Sequence, residues 1–307
     1  MFSLRDSDNK IVAVMSSNVD DLLYGSKPGH EGAMEKVLDT FSVRERNEAP
    51  FRFCGKEVVQ HEDFSITVTA KDNLEKIRPI DIGMKRRATD KNTTAETTSL
   101  RSVVAAMAWV ARQVAPGLSY RVSKLQSVAG NGFVKDLREC NKVLEYAQAR
   151  SHEGIHFSAD GPSWEDAVVC TITDASFCNE TVLVDGPYFD KVPEPGRSQQ
   201  GYIICLAPPD IANLPEAIIH PISWSSTHIK RVCRSTHMAE TFAMINGTEA
   251  GCRIRAAIVD MKGELDFRHW EDSASRAMGH VWMTDCDSLR AFDEPATQHY
   301  PEQEARH

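Results

Sequence analysis

Three carboxylates in the second half of the chain stand where a sheet-based metal site would draw its ligands. Asp174 closes the apolar run VVCTIT (168–173), in phase with Ile172, Cys170 and Val168, and Asp285 follows the strand-like run 280–284, in phase with Met283 and Val281. Alternation along a strand gives each aspartate a face shared with apolar side chains, a costly place for a charge that meets neither a partner nor a metal. Glu240 stands early in a helical stretch that opens at Ser235, beside Ala239 and Phe242 and near the buried side. Three carboxylates that converge repel one another, and divalent cations relieve the repulsion. Two Mg²⁺ ions ~3.5–4 Å apart activate a water and stabilise the leaving oxygen in phosphodiester cleavage. Strand-end aspartates also cap loops and helices, so the spacing alone leaves both readings open. A further acidic pair, Asp20 and Asp21, sits just beyond the turn formers Ser16, Ser17 and Asn18.

The elements that must position these residues follow from periodicity. Residues 11–15 and 19–24 read as the strands of a β-hairpin, with the paired aspartates at the start of the second. Pro28 and Gly29 break the chain, 31–40 looks helical, and 51–69 reads as short strands. Residues 78–97 have loop composition. Leu100, Val103, Val104, Met107, Ala108 and Ala111 fall at helical spacing up to Pro116-Gly117, and further helices are expected at about 120–128 and 133–150. Gly161-Pro162 marks a domain boundary. Beyond it come strands at 168–173, 201–207, 218–223 and 280–284, with a long helix from Ser235 whose later stripe is Ile254, Ala257, Ile258 and Met261. That order predicts a mixed sheet covered by helices.

Composition narrows the function classes. With 307 residues, 41% hydrophobic and 26% charged, the chain has globular composition and the length of about two domains. Its longest apolar run, 103–111, is half a bilayer span, and its first ten residues do not form a secretory signal. Eight cysteines without CxxC pairs fit reduced, buried thiols. The expectation is an intracellular protein, cytoplasmic or nuclear, that is neither secreted nor membrane-bound. The net charge of −9 argues against non-specific coating of nucleic acid. Residues 76–153 nevertheless carry 14 Lys/Arg against 7 Asp/Glu, and 259–307 carry 5 against 11. A basic middle beside an acidic end suits a backbone-binding surface next to a carboxylate metal site, and equally a solvated face.

Ordered phrases add a resemblance. TDAS at 173–176, HPISWSSTHIKRVCRSTHMAET at 220–241 and VWMTDCDSL at 281–289 together resemble the RNase H domain of copia-type retrotransposon polyproteins, notably in the ISWSS strand followed by an S/T-x-x-A-E helix start. NVDDLLYGS at 18–26 looks like the polymerase hairpin with its paired aspartates, and FRFCGKEVVQ at 51–60 is similar to the strand beyond it. SVVAAMAWVARQVAPGLSYRVSKLQ at 102–126 and the helix ending KVLEYAQA resemble the thumb and connection, so the likeness covers roughly 8–290. It implies two-metal hydrolysis, with Mg²⁺ or Mn²⁺, of the RNA strand of an RNA–DNA hybrid. Asp174 would bridge both ions, with Glu240 and Asp285 each holding one side. Asp287 would be an outer neighbour of the ions or an exposed loop acid. Lys230, Arg231 and Arg234 lie where a hybrid backbone would approach, or in a solvated loop. His237 would aid product release or be an inert helix-end histidine, and Trp224 reads as core. A polymerase or another retroelement protein is an expected partner.

The chain also departs from that pattern. RNase H sites use a fourth carboxylate on a later helix, whereas the residues after Asp287 include Pro295 and Pro301, and Asp293 and Glu294 follow too closely in sequence. Asp20 and Asp21 would be two of three polymerase metal ligands, yet only 19 residues precede Asp20, and Asn18 replaces the usual aromatic residue or histidine. DNA polymerase activity is therefore expected to be lost. The expected fold is α+β and α/β: a truncated polymerase palm hairpin and remnant (1–97), a helical thumb/connection (98–160), an RNase H-like mixed sheet with flanking helices (161–290) and a disordered tail (291–307). The alternative to an RNase H-type endonuclease is a catalytically inactive nucleic-acid-binding or interaction module from the same element.

Overall fold

Turn chemistry and apolar alternation shape the first sheet of this computed structural model, which describes residues 2–40, 43, 45–178, 181–183, 191–193, 197–287 and 289. Strands β1 (Phe2–Arg5), β2 (Ile11–Asn18) and β3 (Asp21–Ser26) form an antiparallel meander with Val12 and Ala13 buried in its middle strand. Asn18 pairs with Asp21, so Val19 and Asp20 make a two-residue turn, and Asp21 alone opens the second strand. Arg5 ties this sheet to a distant helix end by donating to the Met261 carbonyl at 2.9 Å. Helix α1 (Glu31–Thr40) follows.

A second antiparallel sheet takes strands from both sides of a helical section. Its first three are β4 (Phe51–Phe53), β5 (Lys56–Gln60) and β6 (Ile66–Thr69). Cys54 and Gly55 both have positive φ, 49° and 76°, which gives the tight β4–β5 turn the twist that its strands require. Four helices follow: α2 (Lys71–Lys76), α3 (Thr94–Gln113), α4 (Ser119–Val128) and α5 (Val134–Ala149). β7 (Ile155–Phe157) then returns to pair with β6. Leu100, Met107, Leu137 and Leu144 are at most 1% exposed and pack with Ala70, Leu74 and Ile80 in one core.

Two expectations change here. Helix α3 begins at Thr94, inside the stretch expected to be loop, because Thr93 and Glu96 form a capping box that satisfies the first free amides. A boundary between 97 and 98 therefore cuts through α3. It also divides a single core, since β7 completes the sheet begun by β4–β6.

The third sheet is the one that carries the acids. β8 (Val168–Ser176) is followed by a two-stranded ribbon, β9 (Thr181–Leu183) and β10 (Lys191–Pro193), and then by β11 (Gln199–Ala207) and β12 (His220–His228). Helices α6 (Thr236–Met261) and α7 (Trp270–Ala277) lead to β13 (His280–Thr284). The strand order is β12-β11-β8-β13, antiparallel except where β13 runs parallel to β8. Val169 and Ile204 pack on one face with Ile258, Val259, Ala274 and Met278 from α6 onward, and Cys170, Cys205 and Ala207 cluster separately. This sheet abuts the helical section: Trp224 Nε1 donates to the Ala111 carbonyl at 2.7 Å, and Gln199 Nε2 donates to Ser123 Oγ at 3.2 Å. Among the described residues the protein is thus mixed α+β, and no helix is long and apolar enough to cross a membrane. The tail expected at 291–307 lies outside the described residues, as do most of residues 179–198.

Candidate metal centre

Each of the three acids reaches the centre by a different local route. Asp174 lies in β8, where it pairs with Gly201 of β11. Parallel pairing of Met283 with Ile172 and Thr284 with Thr173 brings Asp285, the next residue, level with Asp174. Glu240 arrives on α6, whose start is fixed by the Ser235 hydroxyl accepting from the Met238 amide at 3.2 Å. On that helix Glu240, Ala243, Gly247 and Gly251 fall three, four and four residues apart and are all buried, so the glutamate belongs to the stripe pressed against the sheet.

One ligand atom from each of Asp174, Glu240 and Asp285 lies within 4.8 Å of the other two. Oxygen ligands of Mg²⁺ sit ~2.0–2.1 Å from the ion, so ligands on opposite sides are ~4 Å apart, and the three acids need close only slightly to share a cation. The electrostatics support the same reading. Glu240 is 5% exposed and its Oε2 is buried with no hydrogen-bond partner. Burial, and then the negative charge of Asp174, push its carboxyl up to about 7; Asp285 adds to the rise and the Ala175 amide opposes it. An acceptor oxygen left unsatisfied among like charges is the donor set a hard divalent cation completes.

The burial of the two aspartates differs from the expectation, while that of Glu240 agrees with it. The strand aspartates were expected on apolar faces, yet Asp174 and Asp285 are exposed and the helical Glu240 is the buried member. Asp174 lies near the end of its strand, one step beyond Ile172 where the Cys170–Cys205 cluster on that face ends, and Asp285 lies just past the end of its own.

The remaining candidates lie apart from this cluster or at its rim. Asp20 and Asp21 are exposed at the β2–β3 turn, and among the described residues they join no group of three metal-ligating side chains. Lys230, Arg231 and Arg234 are exposed on the connection between β12 and α6, with Arg231 over the Phe242 ring at 5.7 Å from its centroid. His237 and Asp287 are exposed, and Asp293 and Glu294 lie outside the described residues. Trp224 is half-buried at the seam with α3, where its ring nitrogen is spent on Ala111.

One polar group beside the centre went unnoticed in the sequence. Gln200, level with Ala175, accepts from Asn246 Nδ2 at 3.0 Å and donates to Thr227 Oγ1 at 3.3 Å, which makes a ladder from α6 to β12. Its members are 27 and 46 residues from Gln200, so no local period reveals them. No protein-family model matches the chain, and no curated protein and no solved structure matches it either.

Proposed function

We propose that the chain is the C-terminal part of a copia-type retrotransposon reverse transcriptase whose working centre is an RNase H-like nuclease, dependent on Mg²⁺ or Mn²⁺ and acting on the RNA strand of RNA–DNA hybrids. The observation that carries this reading is the convergence of Asp174, Glu240 and Asp285 from β8, α6 and β13, with the buried Glu240 Oε2 unsatisfied. The mixed sheet crossed by a helix that bears the second acid accords with the resemblance.

Asp174, Glu240 and Asp285 would hold the divalent ions, which when bound supply an activated water and charge stabilisation for the leaving oxygen. Glu240 is about half protonated near pH 7 and must give up that proton to act as a ligand. The exposed Asp174 and Asp285 leave the centre open to a polymeric substrate. Lys230, Arg231 and Arg234 offer positive charge to its phosphates at the start of the same helix.

The test is hydrolysis of an end-labelled RNA–DNA hybrid by the full chain with Mg²⁺ or Mn²⁺. Asp174→Asn should lower the rate by about 100-fold or more, since metal-borne stabilisation is worth several kcal/mol. A second reading, an inactive nucleic-acid-binding module, draws on the fact that no fourth carboxylate joins the cluster among the described residues. Hybrid binding without cleavage would select it. Polymerase activity is not proposed, because Asp20 and Asp21 gain no third acid among the described residues.

A further inference from the structure

Two histidines share a hydrogen-bond partner in the other four-stranded sheet, which has no residue in common with the acidic centre. His61 follows β5, and His156 in β7 is the cross-strand partner of Thr67 in β6. The Thr67 hydroxyl lies 2.8 Å from His61 Nε2 and 3.1 Å from His156 Nδ1. Two imidazole nitrogens are therefore aimed at one oxygen, whose single proton can be donated to only one of them. Both rings are exposed, in an open cleft that Glu62, Asp63 and Ser65 also line. Asp63 is occupied by the Ser65 amide and hydroxyl at 3.0 and 2.7 Å, while Glu62 stands exposed at the rim.

The ring centroids are 6.1 Å apart, with planes inclined at 51°. Two imidazoles bound to one tetrahedral ion at ~2.0–2.1 Å have centroids ~5 Å apart. Side-chain torsions that close the pair by ~1 Å, with Thr67 rotated aside, would complete that geometry. We infer that His61 and His156 form a two-histidine site for a borderline transition-metal ion of the Zn²⁺ or Ni²⁺ class, with water completing the coordination. Imidazole favours these ions over Mg²⁺, so the site and the acidic centre would sort metals by type. A bound ion would staple β7 to the β5–β6 hairpin, just ahead of the segment that leads into β8.

Ni²⁺ titrated calorimetrically into the full chain, with excess Mg²⁺ present to occupy the carboxylates, tests this. One equivalent should bind the wild type and raise its melting temperature. His61→Ala and His156→Ala should each weaken binding at least tenfold and abolish the thermal shift, with circular dichroism confirming that they fold. Thr67→Ala, which removes only the competing hydroxyl, should bind as tightly as wild type or tighter. His280→Ala should leave Ni²⁺ binding unchanged, although His280 Nδ1 lies 3.9 Å from Cys252 Sγ. The inference is overturned if the wild type binds no Ni²⁺, if either histidine variant binds within threefold of wild type, or if His280→Ala removes the site.

Discussion

Glu240 concentrates the electrostatic conflict of the acidic centre in one side chain. Its carboxyl ionises near pH 7 in the folded chain, against an ordinary value of 4.5. Between those values the folded protein keeps a proton that the unfolded chain has lost, so stability falls as pH rises through this window. Above pH 7 the loss is complete and amounts to roughly 3 kcal/mol. Glu240→Gln, which cannot ionise, should therefore be more stable than wild type at pH 8 without divalent ions, by about 2–3 kcal/mol. The gap should close at pH 4.5, as read by urea unfolding in a chelator. The three acids were legible in the sequence because each stands in a distinctive phrase. The exposure of Asp174 and Asp285 was not: alternation predicts a face but not where the packing on that face stops, whereas the burial of Glu240 follows from its place beside Ala239.

Helix α6 lies unusually close to the sheet, and that closeness fixes where Glu240 points. A Cβ at Gly251 would sit 2.5 Å from both Thr171 Oγ1 and His280 Nε2, and one at Gly247 would sit 2.6 Å from Thr173 Cγ2. Gly251→Ala gains up to ~1 kcal/mol of helix propensity, yet must displace the helix or the Thr171–His280 pair, at a cost of ~1–3 kcal/mol. A melting temperature below wild type, with weaker Mn²⁺ binding although no ligand is changed, is the expected result. An unchanged Mn²⁺ affinity would show that Glu240 is positioned by its own turn alone. The long helix and the four strands of this sheet were readable from their periods. The six-residue α2 and three-residue β7 were not, since both are too short to show one. β7 exists because β6 offers it an edge, which is tertiary information.

The seam between the helical section and the acid-bearing sheet joins parts of the molecule that the sequence describes separately. Ala111 belongs to the last turn of α3, where carbonyls lack helical partners, and the Trp224 indole supplies the missing donor. Trp224→Phe keeps the ring and removes that donor. The expected cost is ~1–2 kcal/mol, with faster amide exchange at the end of α3 and unchanged melting of the sheet core. Loss of the whole sheet's protection would instead make Trp224 a core residue, as its position in SWSS suggests. A partner 113 residues away leaves no trace in local composition.

The return of β7 to β6 also orders events on the ribosome. β4 emerges about a hundred residues before the strand that completes its sheet, so the apolar faces of α3–α5 must collapse around an unfinished edge. The acidic centre is later still, because 285 − 174 leaves 111 residues of synthesis between its first and last ligands. At ~5–20 residues per second that interval lasts ~6–20 s. During it the nascent chain holds Asp174 without Asp285, and no cation can be fully held until the final strand has cleared the exit tunnel. Translation thus keeps the centre incomplete until β13 and Asp285 are out.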